Sequence, residues 1–148
     1  MHENEISEKI IGAAIALNLL LLASHFRSSA LTTCIFCHDK ALGLLESVYE
    51  EALCHELHLR RLKFVRQQSV PIPFKGIRLG TDLRLDLLIE DKVIVDLKAK
   101  DKLSPIDKPK LLTYLRLSDM HLGLILNFHV EVLRDGISRV VNELSEQN

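Results

Sequence analysis

The chain has no tryptophan, and aromatic residues make up only 5% of its 148 positions. That argues against a platform on which successive bases of a single strand would stack. An excess of positive charge is also missing: 19 Lys and Arg face 20 Asp and Glu, a formal net of −1. Bulk attraction to nucleic acid is therefore excluded, and any such binding has to be local. The apolar run Ile10 to Ala23 is 14 residues long and is interrupted by Asn18. A membrane span needs about 20, so a buried helix is expected there and no membrane association. Cysteine is scarce and odd in number (Cys34, Cys37, Cys54), which suggests no disulfide framework and points to a reducing, cytoplasmic setting. Met1 to Lys9 carries three Glu and one Lys, unlike the positive start of a secretory signal. What is present is ordinary for a globular protein, 47% hydrophobic and 26% charged, and residues 1–148 are read as one domain.

Residues 5 to 24 predict a helix opened by Ser7 and continued by good helix formers. The stretch SHFRSSALTTCIFCHDK, 24 to 40, has no clear period and reads as irregular or weakly helical. Leu45, Val48, Tyr49, Ala52, Leu53 and Leu57 then recur at steps of three and four, one apolar stripe on a helix from 44 to about 62. Lys63 to Pro73 reads as a strand that Pro71 and Pro73 confine to an edge or a bend. A short strand over Phe74 to Leu79 turns at Gly76, and Leu83 to Ile89 pairs with Val93 to Ala99 about Glu90, Asp91 and Lys92. A helix over Pro105 to Leu117, a strand over Leu122 to Phe128, and a short strand followed by a helical turn within Val132 to Leu144 complete the chain. This order predicts a mixed sheet flanked by helices.

The hairpin carries the informative residues. With a three-residue turn at 90–92, Asp86 lies directly opposite Asp96, and the two-residue period puts Arg84 and Lys98 on the same face. A two-residue turn would break that register. The other face is uniformly apolar, with Leu83, Leu85, Leu87 and Ile89 against Val93, Val95 and Leu97. Leu88 and Ile94 share the polar face, which a face simply turned to water does not need. One end of it should therefore be covered while two carboxylates and a lysine gather at the other. Neighbouring carboxylates disfavour each other's ionisation. A divalent cation relieves the repulsion, and hard oxygen donors suit Mg²⁺ or Mn²⁺. A nearby ammonium can orient a water or take its proton, and the set becomes the apparatus of phosphodiester hydrolysis. The same four residues can instead form cross-strand salt bridges on a solvated face, and spacing alone favours that reading.

Asp86, nine intervening residues and Asp96-Leu97-Lys98 resemble the Asp…(Asp/Glu)-x-Lys signature of the PD-(D/E)XK nuclease superfamily. Gly43-Leu44-Leu45-Glu46-Ser47-Val48-Tyr49 is similar to the motif of the GxxExxY proteins, a small family within that superfamily. RLDLLIEDKVIVDLKA, LLTYLRL, LGLILNF and DGISRVVN resemble the rest of that family in order and spacing, so that the likeness spans residues 4 to 17 and about 41 to 144. It implies an α/β fold with a restriction-endonuclease-like core, a mixed central sheet of about four strands flanked by helices in αβββαβ order. It implies Asp86, Asp96 and Glu46 as ligands of Mg²⁺ or Mn²⁺ and Lys98 as the water-activating or charge-stabilising lysine. Lys110, Tyr114, Lys100 and Arg84 become candidate substrate contacts, with nucleic acid, DNA ahead of RNA, as the partner. Tyr49, one turn beyond Glu46, is read as core.

The chain departs from the family in three places. Asp96 stands where Glu is usual. Lys110 and Asp107 stand where Gln and His are usual, and a lysine cannot supply the amide's acceptor. About 20 extra residues, Leu19 to Cys37, replace a short Gly-Pro-Gly type connection. This insert is apolar and has to pack: as a longer first helix, on the domain, or against a second copy of the chain. These departures keep open an alternative, a catalytically inactive module that binds nucleic acid or protein. Cys34-Ile35-Phe36-Cys37-His38 matches the haem-attachment pattern, but without an export signal no haem is expected. A zinc site that includes His25 would need one more convincing ligand, so coincidence is the reading adopted. The basic run His58, Arg60, Arg61, Lys63 and Arg66 can meet a phosphate backbone or simply complement a helix end. Lys100 and Lys102 are read mainly as solvated loop lysines.

Overall fold

The computed structural model describes residues 1–23 and 45–143. Most of the insert (24–37), the Cys34–His38 motif with His25, Gly43 and Leu144 lie outside them. The chain opens with helix α1, Glu3–Ala23, and helix α2, Glu46–Leu59. Strand β1, Phe64–Val70, leads into a two-stranded hairpin of β2, Pro73–Phe74, and β3, Ile77–Arg78. Strands β4, Leu83–Ile89, and β5, Val93–Lys98, are joined by helix α3, Asp107–Leu117, to strand β6, Leu122–Asn127. A 3₁₀ turn, Leu133–Gly136, precedes strand β7, Ile137–Val141, and the chain is again 3₁₀ at Glu143, the last described residue.

Five strands form the central sheet in the order β1-β4-β5-β6-β7. The β5–β6 pair is parallel and the others are antiparallel, so the α3 crossover is what parallel pairing requires. The sheet is mixed, as expected, with one strand more than the four implied. The prolines hold β1 to an edge, and the turn over 90–92 sets the predicted register, Leu87 opposite Val95 and Ile89 opposite Val93.

The two faces of the sheet have separate cores. Ile6, Ile10, Ala13, Ala14 and Leu17 of α1 and Tyr49, Leu53, Cys54 and Leu57 of α2 pack on Leu87, Val95, Leu97 and Leu124. Leu111, Tyr114 and Leu115 of α3 cover Leu88, Ile94 and Ile125 on the other side. Gly123 allows that approach, because a Cβ there would stand 2.9 Å from the Leu111 side chain. Tyr49 is core, stacked on Phe128 with ring centroids 4.7 Å apart. Burial pushes the free Cys54 thiol up to about 11, which makes it an unreactive core residue.

Some local expectations fail. Ser7 is buried within α1 rather than opening it, and Glu3 and Glu5 complement the positive end of the helix. Leu45, counted in the apolar stripe, is exposed. Helices α2 and α3 end without glycine: Arg61 and Asp119 take left-handed φ values of 58° and 52°. The Leu62 and Met120 amides then donate to the Leu57 and Leu115 carbonyls. Part of the basic run serves the fold, since Arg60 donates to the Gly12 carbonyl of α1 at 3.2 Å.

Candidate metal and substrate site

The site forms where a regular ladder stops. Paired partners on β4 and β5 end at Leu87 and Val95, leaving Asp86 and Asp96 as the next opposed positions. On the other flank of β4, Gln67 stands opposite Asp86 with φ 51° and drops out of the β1 ladder. The freed Leu97 amide donates instead to Oδ2 of Asp86 at 2.8 Å, so the carboxylate takes over a backbone bond. β5 stays paired along its other edge, with Asp96 beside Ile125 and Lys98 beside Asn127. That pairing fixes the backbone under both side chains.

The break also changes which way the leucines face. Leu87 and Ile89 lie in the α1–α2 core, as expected, but Leu83 and Leu85 pack with Leu88 against α3. The uniformly apolar face predicted for β4 is therefore wrong at its start. Alternation turns Arg84, between Leu83 and Leu85, away from α3, and it is exposed rather than grouped with Lys98.

Asp96 and Lys98 are 4% and 8% exposed. Nζ of Lys98 lies 2.7 Å from Oδ2 of Asp96 and donates to the Leu97 carbonyl at 2.8 Å. The contact with Asp96 is an ion pair without hydrogen-bond geometry, so Oδ2 is a buried oxygen that lacks a directed donor. Burial raises the Asp86 carboxyl from 3.8 to about 6. The Leu97 amide and Lys98 pull it down, whereas the charges of Asp96 and Glu46 push it up. Glu46, exposed in the first turn of α2, thus reaches Asp86 electrostatically. Among the described residues no three His, Cys, Asp or Glu side chains converge into a ready cluster for a metal ion. Two carboxylates of hard oxygen, one with an undirected buried oxygen, nonetheless suit a small divalent cation.

The candidate substrate contacts divide. Lys110 faces the acids from α3: burial works to lower its pKa, but Asp96, Tyr114 and Asp86 outweigh it and hold it above the usual value. Its ammonium lies 5.3 Å from the Tyr114 ring centroid, and Tyr114 itself is buried in the α3 core. The two residues share a groove of about 440 Å³ with Leu83, Ile106, Pro109 and Thr113. Lys100 is committed elsewhere, its ammonium 2.6 Å from Asp107. Burial opposes ionisation of Asp107, yet Lys100, the Ser104 amide and Lys98 hold its carboxyl below the usual range. Asp107 thus ties the loop at Ser104 to the first turn of α3 and anchors Lys100.

Two functional neighbours escaped the sequence reading. Glu50, one turn beyond Glu46 and buried, accepts from Arg66 at 2.7 Å and from Gln67 at 2.8 Å. It ties α2 to the distorted point of β1 opposite Asp86, and it commits Arg66 of the basic run. Nothing in the sequence separates it from a solvated glutamate. Asn127 binds both backbone groups of Lys100, at 3.1 and 2.7 Å. A lone amide ending the apolar run LGLILN was a legible signal for that role.

No helix among the described residues is long and apolar enough to cross a membrane. No curated protein and no solved structure matches the chain. A family profile, the PD-(D/E)XK nuclease superfamily, matches residues 28–140, which hold the acid pair, its lysine and all of the central sheet but its last residue, Val141. With most of its length matched, and with Asp86, Asp96 and Lys98 brought together at the break in the sheet, the chain belongs to the PD-(D/E)XK nuclease superfamily.

Proposed function

We propose that the protein is a metal-dependent nuclease that hydrolyses phosphodiester bonds in nucleic acid, DNA ahead of RNA. Asp86 and Asp96 would hold Mg²⁺ or Mn²⁺, and Glu46 would approach as a third acid. Membership of the superfamily supports the nuclease class. The observation that carries the reading is the buried Oδ2 of Asp96, without a directed hydrogen bond, beside Asp86 and Lys98. When bound, the cation would supply a water of lowered pKa and neutralise charge on the phosphate. Lys98 orients that water or stabilises the charge that develops, and Lys110 meets a phosphate oxygen. The motif around Glu46 and Tyr49 supports placement among the GxxExxY proteins, and the odd cysteine count supports a cytoplasmic setting. The apolar composition of the insert, Leu19 to Cys37, supports self-association of the chain as part of this reading.

The test is cleavage of single- and double-stranded DNA and RNA in Mg²⁺, in Mn²⁺ and in EDTA. Cutting should require the metal and fall by at least about a hundredfold in Asp86→Asn and Lys98→Ala. Binding of Mn²⁺, followed by calorimetry, should be lost in Asp86→Asn. Equal cutting by wild type and both variants, or equal Mn²⁺ affinity in wild type and Asp86→Asn, refutes the assignment. One observation favours a second reading, a non-cutting binding module: the Lys110 ammonium lies within electrostatic reach of the acids, at a position where the GxxExxY resemblance implies an amide. Retained Mn²⁺ binding without turnover on any form of DNA or RNA would select it.

A further inference from the structure

Between Val70, the last residue of β1, and Leu83, the first of β4, the chain leaves the sheet and folds a hairpin of its own. Pro73 pairs with Arg78 and Phe74 with Ile77, and the Leu79 amide closes the base on the Ile72 carbonyl at 3.0 Å. Lys75 and Gly76 form the turn with φ values of 47° and 82°, the two left-handed positions that a tight hairpin turn demands. Glycine takes that conformation freely, whereas Lys75 does so at a cost of order 1 kcal/mol. A two-residue ladder is marginal alone, so pre-set prolines at 71 and 73 help to keep the loop in this shape.

The hairpin buries almost nothing. Phe74 is 54% exposed and Ile77 62% exposed, and neither belongs to either core. The Lys75 ammonium sits 5.5 Å from the Phe74 ring centroid. Asp82, the acid at the root, is already taken by Arg78 at 2.7 Å and by Ser69 at 2.8 Å. Among the described residues no carboxylate pairs with Lys75 on the tip or Arg84 at the root. One unmatched cation, Lys75, thus lies beside an exposed aromatic ring, and a second, Arg84, stands where the loop rejoins the sheet.

Position matters as much as composition. Three residues of extended β4 separate Leu83 from Asp86, about 10 Å at the usual rise per residue. That is roughly three base steps at 3.4 Å along one strand. The root of the hairpin therefore stands within a few nucleotides of any phosphate held at the acid pair.

We propose that the 73–78 hairpin is a nucleic-acid contact in its own right, in which Phe74 and Ile77 pack on exposed bases while Lys75 and Arg84 meet flanking phosphates. The choice of nucleic acid over a protein partner rests on the nuclease reading and on the unmatched positive charge. Stacking on one ring tolerates any base, so this contact adds affinity without sequence preference. It favours single strands or frayed duplex ends, where bases are open to a protruding ring.

Fluorescence anisotropy of labelled single-stranded DNA, single-stranded RNA and duplex DNA, measured in EDTA, tests this separately from cutting. Phe74→Ala should weaken single-strand binding about tenfold, the loss of one stacked base, and Phe74→Trp should keep it. Lys75→Gln and Arg84→Gln should each flatten the dependence of log affinity on log salt by about 0.7 for single strands. Wild-type affinity in Phe74→Ala on all three probes overturns the proposal, even if Mg²⁺-dependent cutting is intact. Conversely, loss of binding in Phe74→Ala with no cutting by wild type upholds the hairpin and defeats the nuclease reading. If Phe74→Ala instead changes the oligomeric state by light scattering with nucleic-acid affinity unaltered, the hairpin serves a second copy of the chain and the proposal fails.

Discussion

Replacing Asp86 by asparagine should make the metal-free protein more stable above pH 6 while it abolishes cleavage. Burial holds a proton on Asp86 up to about 6, against 3.8 for the exposed group. Between those values the native state binds more protons than the unfolded chain. Stability therefore falls as pH rises through that window, and the whole cost is present above it. At full burial the displacement corresponds to about 3 kcal/mol. Asp86 is only half-buried, and water screening reduces the figure to about 1.5 kcal/mol. Asparagine has the same shape, and its amide oxygen can still accept the Leu97 amide. The variant should match wild type near pH 4 and melt about 3–6 °C higher at pH 8. Asp86→Ala is the control: it removes the same charge but orphans the Leu97 amide, a loss of about 1–3 kcal/mol that cancels the gain. Thermal melts followed by circular dichroism in EDTA at pH 4, 6 and 8 measure all three proteins. Adding Mg²⁺ should stabilise wild type and leave Asp86→Asn unmoved. An asparagine variant less stable than wild type at pH 8, or a difference that does not change with pH, refutes the reasoning.

Glu50→Gln should loosen β1, because one acceptor for Arg66 and Gln67 becomes a donor; a loss of about 1–3 kcal/mol is expected. Amide exchange should quicken across Phe64–Val70 and stay slow in β5 and β6, and unchanged protection in β1 would count against the clamp. Gly136→Ala should cost about 1–3 kcal/mol or more by denaturant melts, since the new Cβ would collide with the Asn127 carbonyl oxygen. Gly80→Ala, with nothing within 4 Å of its Cβ, should be neutral.

The sheet was legible where one rule governed. Alternating apolar residues on each side of Glu90-Asp91-Lys92 fixed β4, β5 and their register, and the covering of Leu88 and Ile94 followed from their hydrophobicity alone. Asp86 opposite Asp96 was legible for the same reason. The twist of β4 at Asp86 was not, because it comes from Gln67 on another strand and from a carboxylate that replaces a ladder bond. The failed placement of Arg84 is a direct consequence. Ser7 misled because a helix-opening residue can also sit buried within a helix. Arg61 and Asp119 end helices where glycine is the usual signal, so the α2 boundary was drawn too far on. The commitment of Lys100 to Asp107 was hidden for another reason: the two lie on opposite sides of a loop whose path no local pattern sets.

The same break in the ladder that makes the site also decides its charge. Two carboxylates, Asp86 and Asp96, face two ammonium groups, Lys98 in direct contact and Lys110 within electrostatic reach. These four formal charges sum to zero, so the two carboxylates are offset within the site itself. Such a balance gives an anionic phosphate little reason to enter. On the nuclease reading, Asp86 and Asp96 would hold a divalent cation, whose two positive charges would make the site electropositive and share Asp96 with Lys98. Cation and phosphate would then each raise the affinity of the other by the same factor. Lys110 would strengthen that linkage: a neutral amide in its place would leave the metal-free site negative, with more attraction for the cation and less for the substrate. On that reading the lysine would shift discrimination from metal capture toward phosphate capture, and a site built this way would hold its metal firmly only when the substrate is present.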